Sequence, residues 1–188
     1  MNGLLDMQGS FIVGGILMLN LLGLNLTLSQ TSREFVSGQV SQLAADELTT
    51  VLQNDFRKIG YGVSGQDAIK TLDSSRIVFL GDVDGDGIVE EIQYSLSDTI
   101  TVLQTPNSRD RYLYRIIDGS APVGVTLGVV NFRLAGSDAH GNPTMTPRDI
   151  HTLEFLLEIE PTELSARGLA YGGCFRRGRV SPFALQHP

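Results

Sequence analysis

The residues best placed to do chemistry are Asp82, Asp84, Asp86 and Glu90, in the stretch GDVDGDGIVEEIQYSL over positions 81–96. Carboxylates at alternate positions of a tight loop can converge on one hard cation, and glycine permits the sharp turn that brings them together. In the pattern D-x-D-x-D-G-x-x-E the three aspartates supply side-chain oxygens, Ile88 a backbone carbonyl and Glu90 the closing carboxylate. The ion this donor set suits is Ca²⁺, which takes about six to eight oxygens. Glu91 adds a fifth acid, and without a cation so many neighbouring carboxylates repel one another. The plainer alternative is an Asp/Gly hairpin turn.

The flanks of this loop are apolar and alternating, so it is not the helix–loop–helix calcium motif, and Gln93 stands where that motif needs its bidentate Glu. Extending the Ile92, Tyr94, Leu96 face back by two residues puts Glu90 on the core side. A bare carboxylate there is costly, so either the loop takes Glu90 in or a metal neutralises it. Ile88 is expected to turn its side chain toward the core. The same residues also resemble the haloacid-dehalogenase phosphotransfer motif D-x-D-G-T, with Asp82 as nucleophile and Asp84 as acid/base. Asp86 stands in the last position of that motif, and no strand–helix alternation follows to build its parallel sheet. His140 and His151, near Asp138 and Asp149, read as exposed loop histidines. Cys174 reads as a small buried or idle thiol.

The 188 residues suffice for one modest domain, and a net charge of -7 argues against a nucleic-acid partner, which needs a basic face. Arg167, Arg176, Arg177 and Arg179 form a basic end read as solvated or involved in packing. A single cysteine excludes an internal disulfide and a cysteine-built zinc site.

Two elements must position the loop. Residues 7–32 contain no charged side chain and many large apolar ones, from Phe11 to Leu28. At 1.5 Å rise, about 20 residues cross a bilayer core, so this segment fits a membrane helix. It lacks the basic start and small-residue exit of a cleaved secretory signal. Over 33–59, Leu48, Val51, Leu52, Phe56 and Ile59 recur at helical spacing as one apolar stripe, with Asp46, Glu47, Asp55, Arg57 and Lys58 off it. No proline intervenes, and Gly60 and Gly62 give a stop, so one helix of about 50 residues is predicted. After Gly62 the period changes to alternation: RIVFL, EIQYSL, RYLYRII, VVNFRLAG and TLEFLLEIE read as half-buried antiparallel strands separated by turn signals. The predicted class is α+β, with the second half of the helix covering the apolar face of an antiparallel sheet.

A hydrophobic N-terminal segment continuing into an amphipathic helix that ends in DFRKIGYGV, followed by GDVDGDGIVEEIQYSL, YLYRIIDG and a GV..VNFRL strand, resembles the type IV prepilin-like proteins. Among these it is most similar to PilW-like minor pilins and the minor pseudopilins of type II secretion. The resemblance implies a structural filament subunit rather than an enzyme. Its partners would be other pilin-like subunits, the bacterial inner membrane before assembly, and a prepilin peptidase. The head would be extracytoplasmic, and the filament would stand in the periplasm or on the cell surface. It also implies a leader over 1–9 cut between Gly9 and Ser10, a filament-core helix over 10–32, its amphipathic continuation over 33–62 and a β domain over 63–188. The family's Glu at the fifth position after the cut is here Gly14, and no acid occurs in 7–32. The competing reading is a signal-anchored extracytoplasmic calcium- or ligand-binding module that does not polymerise.

Overall fold

The computed structural model describes residues 3–65, 67–98, 105–161 and 173–186. The chain divides into two compact units, Met1–Ser37 and Gly38–Pro188. Gly3–Arg57 forms one α-helix, α1.

In the first unit, every described side chain from Met7 to Val36 is exposed, including Phe11, Ile16, Leu21, Leu24 and Leu28. Polar residues within this run turn back on their own helix. Asn20 Nδ2 donates to the Ile16 carbonyl at 2.8 Å and Thr27 Oγ1 to the Gly23 carbonyl at 2.9 Å. Such i−4 bonds let a polar side chain sit in an apolar medium without an orphaned donor. Among the described residues, α1 is long and apolar enough to cross a membrane.

In the second unit, an eight-stranded antiparallel sheet is built from β1 (Ile69–Leu72), β2 (Arg76–Gly81), β3 (Glu90–Leu96), β4 (Arg111–Ile117), β5 (Val123–Ser137), β6 (Pro143–Thr144), β7 (Thr152–Ile159) and β8 (Cys174–Val180). The order is β1-β2-β3-β4-β5-β7-β8, with β6 paired to β5. A four-residue helix, α2 (Phe183–Gln186), follows β8. The predicted α+β arrangement, a long N-terminal helix on an antiparallel sheet, is the one observed, and it is pilin-like in form.

The helix stripe buries Ala45, Leu48, Leu52 and Phe56, with Ile59 just beyond the last turn, against Ile77, Phe79, Ile92, Tyr94, Phe132, Phe155 and Leu157. Phe56 stands at its centre, with its ring edge-on to Phe79, Tyr94 and Phe155 at centroid distances of 6.0, 5.7 and 5.8 Å. Two expectations for the helix are corrected. Val51 is 37% exposed, at the margin of the stripe. Asp55, expected off the stripe, is buried, because Tyr94 OH and Arg115 Nε donate to its Oδ2 at 2.6 and 2.7 Å. Burial, and then the Asp55 charge, push the Tyr94 phenol far above its ordinary value, so it stays a donor.

The basic C-terminal residues pair within this unit: Arg176 with Asp46 of α1, and Arg177 and Arg179 with Glu154 of β7. Arg167 lies outside the described residues. Cys174 is buried and free.

Phe56→Ala should lower stability by about 3–5 kcal/mol, because it removes a fully buried ring that three others pack against. Val51→Ala should cost under about 1 kcal/mol by the same measurement, urea unfolding of the full chain in detergent micelles followed by circular dichroism. Equal losses would contradict the observed seating of the helix.

Candidate metal centre

The acidic loop joins β2 to β3, whose register pairs Gly81 with Glu90 across its base. It is therefore held at both ends by a strand ladder. It is also tied to the end of α1. Gly60 N donates to the Leu80 carbonyl at 2.8 Å, Asp82 N to the Tyr61 carbonyl at 3.1 Å, and Lys58 Nζ to the Val83 carbonyl. Gly81 permits this approach, since a Cβ there would lie 2.3 Å from the Lys58 carbonyl oxygen.

Inside the loop, backbone amides organise the carboxylates. Asp82 accepts from Gly85 N at 2.6 Å on Oδ1 and from Gly87 N at 3.0 Å on Oδ2. Gly85 and Gly87 have φ of +86° and +89°, a conformation that residues with a Cβ rarely adopt. Asp84 Oδ1 accepts from Asp86 N, Asp86 Oδ1 from Ile88 N, and Glu90 Oε2 from Val83 N at 3.0 Å. Asp82 and Glu90 are buried, while Asp84 and Asp86 are exposed.

One carboxylate oxygen from each of Asp82, Asp84, Asp86 and Glu90 lies within 4.8 Å of the others. The structure thus brings together the four predicted side chains as a group that could hold a metal ion. The donor set is all oxygen. Among the described residues, Asp84 Oδ2, Asp86 Oδ2 and Glu90 Oε1 accept no protein hydrogen bond. Glu90 lies inward, as alternation along β3 requires. The expected inward Ile88 side chain is corrected, for it is 65% exposed. Positions 86–89 precede the strand, and the amide of Ile88 is fixed by Asp86 rather than by a ladder.

Local spacing carries no sign of the Lys58 tie, whose partner is 25 residues away. The phosphotransfer alternative finds no parallel sheet here, since every strand pair among the described residues is antiparallel. His140 is exposed and its amide donates to Asp138, which also takes both donors of Asn142 and so shapes the β5–β6 turn. Those bonds, led by Asn142, hold the Asp138 carboxyl below its ordinary value. Gly9 and Ser10 lie within α1. No family model matches the chain, and no curated protein matches it.

The two kinds of aspartate should separate experimentally. In EDTA, Asp82→Ala leaves two loop amides without acceptors and should cost about 1–3 kcal/mol, whereas Asp84→Asn should change stability by under about 0.5 kcal/mol. In millimolar divalent cation both should show a smaller metal-dependent gain than the wild type, reduced by the share this loop supplies. Urea titrations of the full chain in micelles measure this, and equal costs in EDTA would contradict the loop geometry.

Proposed function

We propose that the chain is a structural subunit, a minor pilin or pseudopilin, of a filament like those of type IV pili or type II secretion, and that one Ca²⁺ stabilises its globular unit. The observation that carries this reading is α1. One helix offers a continuous apolar, exposed surface over its first unit and supplies core residues to an antiparallel sheet with its last turns. An apolar surface of that length calls for lipid or neighbouring apolar helices. Its glycines, Gly14, Gly15 and Gly23, leave open space where a Cβ would be, and small residues let membrane helices approach closely. In this reading the helix is held in the inner membrane before assembly and packs against other pilin-like subunits afterwards, with the β domain extracytoplasmic. A prepilin peptidase would act between Gly9 and Ser10.

Ca²⁺ is favoured over Mg²⁺ by the donor set, because Ca²⁺ takes about six to eight oxygens in a flexible geometry, whereas Mg²⁺ demands a near-ideal octahedron and usually keeps several waters. Asp82, Asp84, Asp86 and Glu90 would supply side-chain oxygens and Ile88 its carbonyl.

Two measurements test the reading. With a Kd of about 10 µM, about 1 mM CaCl₂ should add roughly 2.7 kcal/mol over EDTA; an equal gain from MgCl₂ would contradict the calcium assignment. For assembly, a photo-crosslinking amino acid in place of Leu17 should form covalent adducts with other pilin-like subunits on irradiation of native membranes. A chain that stays monomeric while the protein remains anchored would favour the non-polymerising module instead.

A further inference from the structure

We propose that Asp110 and Glu160 form a second site for a hard divalent cation, independent of the β2–β3 loop. Asp110 immediately precedes β4 and Glu160 immediately follows β7. Arg111 pairs with Val129 on one side of β5 and Ile159 pairs with Val129 on the other, so Asp110 and Glu160 stand at strand ends that flank the middle of β5. The acidic loop lies beyond the other end of β4, since Ile92, two residues beyond Glu90, pairs with Ile117. At about 3.3 Å per residue, the length of β4 separates the two places by roughly 20 Å.

Asp110 is the anomaly. It is 1% exposed, and among the described residues neither of its carboxylate oxygens has a hydrogen-bond partner. Its neighbours are otherwise occupied. The Thr105 hydroxyl donates to the Asn107 carbonyl, and the Asn107 amide donates to Glu160 Oε2 at 3.0 Å. Arg109 Nη1 donates to Glu160 Oε1, so its charge is spent on that residue, and Arg111 Nε is itself buried without a partner. Burial pushes the Asp110 carboxyl above its ordinary value; the nearby Thr105 hydroxyl, which makes no hydrogen bond to it, offsets part of this, and the Glu160 charge adds to it.

A buried carboxylate with no partner is costly. A cation satisfies both Asp110 oxygens at once. It would share the remaining lone pairs of Glu160, also buried, in an all-oxygen set that suits Ca²⁺.

Calcium binding to the full chain in micelles decides this by isothermal titration on the wild type, Asp110→Asn and Asp84→Asn. The expected result is a binding component that Asp110→Asn abolishes and Asp84→Asn retains. With both sites working, the wild type takes two ions and each variant one. A wild type whose calcium binding is wholly removed by Asp84→Asn, or is unchanged in Asp110→Asn, would overturn the proposal. Should Asp110→Asn fail to fold, a chain carrying Asp84→Ala and Asp86→Ala decides, because alanine leaves the loop two oxygen donors short where asparagine would keep one. It should still melt several degrees higher in CaCl₂ than in EDTA, and no rise would refute the second site.

Discussion

The globular unit depends on the seating of the last turns of α1 on the sheet. Burial of Leu48, Leu52, Phe56 and Ile59 drives that contact, but apolar attraction has no direction of its own and tolerates a helix that slides or rotates. Direction comes from Asp55. A buried carboxylate there meets Arg115 of β4 and Tyr94 of β3 together, which ties the helix to two strands at one point. Such a pair adds little net stability over apolar replacements, so its value lies in fixing the docking.

The same helix end governs the acidic loop. Within a few residues of Phe56, the chain bonds to Leu80, Asp82 and Val83, so the first loop carboxylate is placed by backbone bonds to the helix terminus as much as by the strands. Amide donors on Asp82 and Glu90 reduce the repulsion among the clustered acids, and the exposed Asp84 and Asp86 are left with free oxygens. A cation at this loop would therefore act on both the hairpin and the helix that backs it.

Much of the fold was legible in the sequence because it rests on periodicity. The stripe from Leu48 to Phe56, the switch to alternation after Gly62 and the inward position of Glu90 all follow from local spacing. What was hidden depends on distant partners. Asp55 looked like a solvent-facing acid, because its partner Arg115 is 60 residues away. Asp110 and Glu160 give no sequence signal either, since only the register of β4, β5 and β7 brings them to the two flanks of mid-β5. β1 was missed because its four residues, with two exposed positions between buried Ile69 and Leu72 and a register shift, do not alternate. The four carboxylates of the loop were readable because a tight turn makes sequence spacing and spatial spacing nearly the same.

The measurement that bears most directly on a helix shared between lipid and the β domain is a single-cysteine scan along α1, in a Cys174→Ser background, with a water-soluble maleimide applied to native membranes. Positions 12–28 should resist labelling until the membrane is dissolved, while Leu43→Cys should react at once. Rapid labelling of positions 12–28 in intact membranes would contradict it.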